Sequence, residues 1–513
     1  MMVWRADGRE GYETGKVRWE LVRYTRGRGL DLGCGADKGF PHFIGVDSNK
    51  DEQLFGIRAT DADMVIPTCE KLDLFADASM DFVYSSHLLE HIEDYRAALT
   101  EWWRVIKVGG HLVLYLPHKQ FYPNIGQEGA NPDHVHDFMP SDIVDVMRGL
   151  GGWDLLRNED RNGGNEYSFF QVYRKRADVQ QIYSLPKRPK KSAAVVRYGG
   201  IGDMLQAASV LPGLKAQGYH VTMYTHWLGH EIVKHDPNVD TFYIQDVDQV
   251  PNAALGEFFK HEAKKFDRWV NLCESVEGNL LALPGRSAYD WPHDVRNAYF
   301  SRNYVEFTHD LAGVPHKFRH SFHPTKEETA RAKNFANKHG RFIAWSMSGS
   351  SLHKAWPHTD AVIARLLLSD PDIKVALFGD ATCQLLERGW ENEPRVIRLC
   401  GRLPVRDSLT LIEYAAAVVG PETGLLNAAG MLDVPKVLML SHSSRENLPK
   451  HWKNTTVLEP KNVPCFPCHR MHYSWDNCKK DEETHAAMCQ ARITPDQAWD
   501  ALCEVLQWQR AAA

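Results

Sequence analysis

Short apolar runs and longer amphipathic ones alternate along most of this chain, and the alternation starts three times. The first series fills residues 28–175. Runs such as GRGLDLGCG, DFVYSS and HLVLYLP are apolar over the length of a strand, as strands buried on both faces are. Between two of them lies DYRAALTEWWRVIK, a helical stretch, and strand–helix alternation predicts a parallel sheet flanked by helices. The periodicity fails across residues 174–191, where Arg174, Lys175, Arg176, Lys187, Arg188, Lys190 and Lys191 surround Pro186 and Pro189. A stretch of this composition reads as a linker. A fresh strand, AAVVRYG, opens at Ala193. Another series begins at Arg341 with RFIAWSMSG, KVALFGD, AAAVVGP and VPKVLMLS.

The expectation is therefore an α/β chain of three Rossmann-like units. They occupy residues 1–176, 193–335 and 336–513, with a basic linker at 177–192. Length agrees, since 513 residues exceed the roughly 250–300 at which single cores stop growing. No internal repeat of about 20–50 residues is visible. A net charge of −6 gives no global argument for nucleic-acid or membrane binding. The N-terminal MMVWRADGRE lacks a signal-peptide pattern, and no apolar run approaches the roughly 20 residues that span a bilayer. A cytoplasmic enzyme is expected. Of the 10 cysteines, Cys34, Cys69, Cys273, Cys383 and Cys400 are scattered and Cys503 falls in an expected helix, whereas four crowd between Cys465 and Cys489. Local crowding in a cytosolic chain suggests a metal more than disulfides.

Three places carry chemistry. In the first, Leu30-Asp31-Leu32-Gly33-Cys34-Gly35 puts glycines at a strand-to-helix turn, where a ligand can approach the backbone. Twelve residues past Gly35 the strand FIGVD ends in Asp47, whose carboxylate can accept from ribose hydroxyls. With DASMDFVYSSHLLEHIED and WWRVIKVGGHLVLYLP, this region resembles the class I AdoMet-dependent methyltransferases over about residues 25–175. The resemblance implies that Asp31, Gly33, Gly35 and Asp47 hold the methionine and ribose parts of S-adenosyl-L-methionine, with His87 near the sulfonium. Where that family often has an acidic adenine contact, this chain reads Ile66-Pro67-Thr68-Cys69. Glu90/His91 and His134/His136 are candidate bases for an acceptor, with helix-start and packing roles as the alternatives.

In the second place, Arg197-Tyr198-Gly199-Gly200-Ile201-Gly202-Asp203 leads from a strand into a helix. Asp203 is either a helix cap or a base facing a cleft. Ser346-Met347-Ser348-Gly349-Ser350-Ser351 with Lys354 offers hydroxyls, backbone N–H groups and a cation to a diphosphate. Gly420-Pro421-Glu422-Thr423-Gly424-Leu425-Leu426-Asn427 adds a carboxylate and a turn ahead of a helix. In order and spacing these stations resemble the heptosyltransferase-like glycosyltransferases of family 9, with a GT-B fold, over about residues 193–508. That resemblance implies inverting transfer from a nucleotide-diphospho-sugar, with Asp203 as general base. It also implies that Ser350 and Lys354 bind the diphosphate, and that Glu422, Thr423, Gly424 and Leu425 bind donor sugar and phosphate. Glu422 stands where the family usually has Asp, and Asn427 where it has His, so ADP-heptose is the default donor of the family rather than a deduction.

The third place is Cys465-x2-Cys468-x9-Cys478-x10-Cys489, four thiols beginning with a CxxC pair. Four sulfurs in tetrahedral geometry suit zinc or iron, with His469 and His472 as substitute ligands. The cluster resembles the structural iron finger of bacterial autotransporter heptosyltransferases. The chain is thus expected to be a bifunctional glycan-modifying enzyme whose partners are a nucleotide-sugar donor and a glycan or glycoprotein acceptor. A hydroxymethylated DNA base is the rival acceptor, a non-catalytic methyltransferase-like scaffold is the rival role for the first module, and a homo-oligomer is within what the sequence allows.

Overall fold

Strands of a parallel sheet covered by helices must be apolar on both faces, and the burial of this chain follows that rule. The computed structural model describes residues 13–48, 62–187, 189–318, 322–349, 351–472 and 478–507. The chain divides into two compact units. One comprises Met1–Lys190 with Ile244–Lys265, the other Lys191–Tyr243 with Phe266–Ala513.

The first unit holds an eight-stranded sheet made of β1 (Gly29–Leu32), β2 (Ile44–Asp47), β3 (Met64–Val65), β4 (Met80–Ser86), β5 (Ile106–Pro117), β6 (Trp153–Arg161), β7 (Ser168–Lys175) and β8 (Gln181–Tyr183). Their order is β3-β2-β1-β4-β5-β7-β6-β8. From β3 to β5 the pairing is parallel, with Asp31 beside Gly45 on one side and Tyr84 on the other. β7 then runs antiparallel between β5 and β6. Leu30, Leu32, Val83, Leu112 and Leu114 pack with Trp102 and Trp153 in the core beneath. The helix Tyr95–Val105 starts at Asp94, whose carboxylate accepts from Ala97 N–H at 3.0 Å.

The stretch expected as a linker is partly strand. β8 pairs with β6, and Arg174 and Arg176 both reach the buried Asp154. Lys175 Nζ donates to the carbonyls of Trp103 and Ile106. A run of cations looks like solvated linker in the sequence because burial partners lie far along the chain. Residues 244–265, read from the sequence as part of the second series, group instead with the first unit. There Asp246 meets Arg26 and Gly27, and Phe258 packs on Trp19.

The second unit holds two sheets. One has the order β11-β10-β9-β12, from β9 (Ser192–Val196), β10 (His220–His226), β11 (Thr241–Gln245) and β12 (Arg268–Asn271). The other has the order β15-β14-β13-β16-β17-β18 and is parallel throughout. Its strands are β13 (Phe342–Ser346), β14 (Lys374–Phe378), β15 (Val396–Arg398), β16 (Ala417–Pro421), β17 (Lys436–Met439) and β18 (Thr455–Leu458). Alternation along β13 shows how both faces are used. Phe342 and Ala344 join a core that also takes Val195 from β9 and Leu205 from the helix Ile201–Ala208, while Ile343 and Trp345 join a separate core on the opposite face. The α/β reading with three sheets is borne out. No described helix is long and apolar enough to cross a membrane.

Candidate functional site

All three sheets share one arrangement, and it decides where ligands can bind. In each, the first strand of the series lies beside the fourth, so chain connections leave in opposite directions from that pair. The crevice outside the carboxyl ends of such a pair is where open α/β sheets bind ligands. Those ends are Gly33 and His87 in the first unit. In the second unit they are Arg197 with the loop after Asn271, and Met347 with Glu422.

In the first unit Gly33 and Gly35 have φ of 68° and 55°, the left-handed region that glycine enters without strain. Asp47 accepts from Gly35 N–H at 2.8 Å and from Ser48 N–H at 2.7 Å, so the end of β2 clasps the glycine turn. Asp31 is 1% exposed and accepts from Gly39 N–H at 2.8 Å, closing the same loop from below. Burial pushes its carboxyl up to about 7, against the pull of the Gly39 N–H and of Lys38 and Arg18. His87 follows β4 with φ 49°; its Nε2 pairs with Ser168 Oγ at 2.9 Å, and burial holds the ring neutral. The structure thus brings Asp31, Gly33, Gly35, Asp47 and His87 to one end of the sheet, with Asp31 beneath the turn.

In the second unit a cleft of about 890 Å³ receives all the described stations that the sequence singled out. Asp203 is the third residue of the helix Ile201–Ala208, and its Oδ2 accepts from Gly200 N–H at 2.8 Å. Its Oδ1 lies 2.7 Å from Nη2 of Arg197, which is buried and also carries Glu277 at 2.9 Å. Two carboxylates therefore share one guanidinium at the cleft wall. Burial, with Asp203 next, raises the Glu277 carboxyl above its ordinary value despite Arg197. Sequence reasoning missed Glu277, because it arrives on an irregular loop after β12 with no spacing to mark it.

Opposite stand Lys354 and the turn after β16. Lys354 Nζ donates to the Glu422 carbonyl at 3.1 Å. Burial pulls its ammonium below the usual lysine value, opposed by Glu422 and Asp203. Glu422 is 5% exposed, and its Oε1 accepts from the N–H groups of Ser441 (2.5 Å) and Ser443 (3.2 Å). One carboxylate oxygen is thus committed to the 441–443 loop, and the other faces His442 Nε2 at 3.1 Å. Thr423 caps the helix Gly424–Gly430 and bonds Ser346 Oγ at 2.9 Å. Gly424 and Leu425 line the cleft beside it. A Cβ on Gly424 would lie 2.6 Å from Ile201 Cβ, and one on Gly202 would lie 2.8 Å from Asn427 Nδ2. The helices that carry Asp203 and Thr423 touch at glycines, which brings the two stations onto one cleft. Ser350 lies outside the described residues.

Cys465, Cys468, Cys478 and Cys489 line a single cavity of about 40 Å³ with His353, His442 and His472. The volume is that of a site for one ion rather than for an organic ligand. Cys468 Sγ lies 3.6 Å from His472 Nε2. Burial and the neighbouring thiols push Cys468 up to about 12 and Cys478 to about 11, the repulsion that a shared cation would reverse. Four thiols are a donor set that suits zinc or iron, although no three of these sulfurs lie within 4.8 Å of one another. Met471 and His472 of the same loop also line the large cleft. No disulfide forms among the described cysteines.

Three Rossmann-like sheets, each with candidate residues at its switch point, define a chain of α/β domains. The sequence matches the family described as methyltransferase domain over residues 30–114 and glycosyltransferase family 9 (heptosyltransferase) over residues 285–479. The chain thus joins a methyltransferase-like domain to a heptosyltransferase-like glycosyltransferase domain. No curated protein sequence matches it. Among solved structures it is similar to a family 9 glycosyl transferase from Veillonella parvula DSM 2008 (16% identity, 63% of this chain and 99% of that one, TM-score 0.46). It is also similar to the ADP-heptose LPS heptosyltransferase II of E. coli (17%, 62% and 100%, 0.42). A third is the iron-containing dodecameric glycosyltransferase TibC of enterotoxigenic E. coli H10407 (12%, 66% and 82%, 0.41).

Proposed function

We propose that the second unit transfers a sugar, with inversion, from a nucleotide-diphospho-sugar of the ADP-heptose type to a hydroxyl of a glycan or glycoprotein. The observation that carries this reading is the single cleft shared by Asp203, Lys354 and the Glu422–Leu425 turn. An ionised carboxylate at Asp203 takes the acceptor proton while the acceptor oxygen bonds to the anomeric carbon. The bond from that carbon to the diphosphate breaks on the opposite face, and the leaving charge falls to Lys354 and the backbone N–H groups of the turn. The Arg197 pair aims Asp203. Zinc or iron held by Cys465, Cys468, Cys478 and Cys489 is structural in this reading, bracing the loop that supplies Met471 and His472.

The first unit binds S-adenosyl-L-methionine at the turn of Gly33 and Gly35, with Asp47 at the ribose and His87 near the sulfonium, and methylates an acceptor on the same product. DNA is the weaker acceptor. Arg174, Lys175 and Arg176, three cations of the basic stretch, already have internal partners.

A thermal-shift screen of nucleotide sugars tests the main reading, because a bound donor raises the melting temperature by mass action. An ADP-sugar is expected to raise it equally in wild type and Asp203→Asn. If no nucleotide sugar shifts the transition, the donor reading is wrong. Calorimetry with S-adenosyl-L-methionine tests the first unit, and no heat at millimolar ligand would leave that domain a scaffold.

A further inference from the structure

The first unit contains a buried carboxylate to which no described residue donates a hydrogen bond. Glu90 is fully buried, and neither of its carboxylate oxygens has a hydrogen-bond partner among the described residues. Leaving such a group unpaired is costly, so it requires a proton or a cation. Around it the chain gathers imidazoles. One donor atom each from Glu90, His91 and His134 lie within 4.8 Å of one another, the only such set of three among the described His, Cys, Asp and Glu residues. His87 Nδ1 adds a fourth donor 3.6 Å from Glu90 Oε1.

Local structure builds this set deliberately. Glu90 and His91 sit on the 3-10 turn Leu89–His91 directly after β4, anchored by the buried Leu89. The Glu90 carbonyl accepts from the N–H groups of Val135 (2.9 Å) and His136 (3.2 Å), which docks the His134 segment over the turn. His91 Nδ1 lies 3.0 Å from the Asp133 carbonyl. A carbonyl only accepts, so Nδ1 carries the proton and Nε2 keeps its lone pair. That is the carbonyl-oriented imidazole found in metal sites.

We propose that Glu90, His91 and His134 form a divalent-cation site in the methyltransferase-like domain, separate from the cysteine cluster. Two imidazoles and one carboxylate suit zinc or iron(II), and three protein donors leave a position open for an oxygen ligand. The turn adjoins the first glycine loop, since a Cβ on Gly33 would lie 2.9 Å from Leu88. An oxygen bound there would stand at the crevice between β1 and β4.

The test is a Co2+ titration of the full chain, stripped with chelator and kept reduced. Thiolate-to-cobalt charge-transfer absorption counts metal at the cysteines, and equilibrium dialysis counts the total. Wild type is expected to bind one cobalt beyond those reported by the charge-transfer band. Glu90→Gln should lose that equivalent, with its affinity falling by more than the roughly 10–100-fold that a second-shell loss costs. The charge-transfer band and circular dichroism should not change. His91→Asn, at a half-buried side chain, gives the same test should Glu90→Gln fail to fold. Absence of the extra cobalt from wild type, or its retention in a folded His91→Asn, would overturn the site.

Discussion

Two strand–glycine–helix turns in this chain look alike in sequence and use glycine for different physical reasons. After β1, Gly33 and Gly35 are there for the backbone, with φ of 68° and 55°. After β9, none of Gly199, Gly200 or Gly202 has a positive φ, and the need is for space. A Cβ on Gly199 would meet Asp203 Cβ at 2.7 Å, and one on Gly202 would meet Asn427 Nδ2 at 2.8 Å. The acids differ in the same way. Asp31 lies buried under its turn on one backbone N–H, whereas Asp203 stands in a cleft on an arginine. The first turn is a shaped loop closed from beneath. The second is a contact between helices that sets a carboxylate facing a cleft.

The largest effect that separates the two acids is catalytic. Asp203→Asn keeps an oxygen to accept from Gly200 N–H but removes the base, and sugar transfer should fall by about 10²–10⁴-fold while donor-induced thermal shifts persist. Glu277→Gln should slow transfer less, because Glu277 shares Arg197 without capping the helix. If Glu277→Gln is the more damaging, the base assignment reverses between the two carboxylates on Arg197.

Next comes Gly33→Ala, which combines a left-handed backbone with a Cβ 2.9 Å from Leu88. The strain of about 1–2 kcal/mol and the overpacking of about 1–3 kcal/mol should both appear as lost stability of the first unit in denaturant. The buried Asp31 gives a pH signature to the same loop. Its folded value near 7 lies above the unfolded 3.8, so the folded state binds more protons between those limits. Stability of the first unit should therefore fall as pH rises from about 4 to about 7, and Asp31→Asn should flatten that slope. An unchanged slope in Asp31→Asn would show that the carboxyl titrates normally.

How much of this was legible in the sequence follows from the range of each interaction. Strands such as β13 were readable because burial on both faces makes them continuously apolar, and the glycine turns because local conformation demands glycine. The stations of the large cleft were readable because each sits at the end of such a strand. Glu277 was not, since its role depends on Arg197 lying across a strand boundary 80 residues away. The trio of Glu90, His91 and His134 was visible only as scattered candidates, because backbone bonds from a segment more than 40 residues on assemble it. β8 hid in a basic stretch for the same reason: its partners and those of Arg174 and Arg176 lie on β6.

Gly35→Ala isolates the conformational half of the comparison. Nothing lies within 4 Å of a Cβ built there, so the expected loss is the left-handed strain alone, about 1–2 kcal/mol. Gly35→Asn should recover part of it, since Asn tolerates that region. An equal loss in both variants would mean that space, not conformation, fixes the residue.

Gly202→Ala isolates the other half and should have the smallest net effect. At the second residue of the helix Ile201–Ala208, alanine over glycine contributes at most about 1 kcal/mol. Against that, the new Cβ presses on Asn427 Nδ2, which is held by its bond to the Thr423 carbonyl at 2.9 Å. Overpacking of about 1–3 kcal/mol exceeds that gain, leaving a net loss of roughly 1 kcal/mol. If space is the whole reason for the glycine, removing the obstacle should reverse the sign. In an Asn427→Ala background Gly202→Ala should stabilise the second unit, and the cycle should show a coupling of about 1–2 kcal/mol. No comparable partner exists for Gly35, because no second substitution can restore a left-handed backbone. A coupling near zero between positions 202 and 427 would show that the second turn, like the first, selects glycine for its backbone.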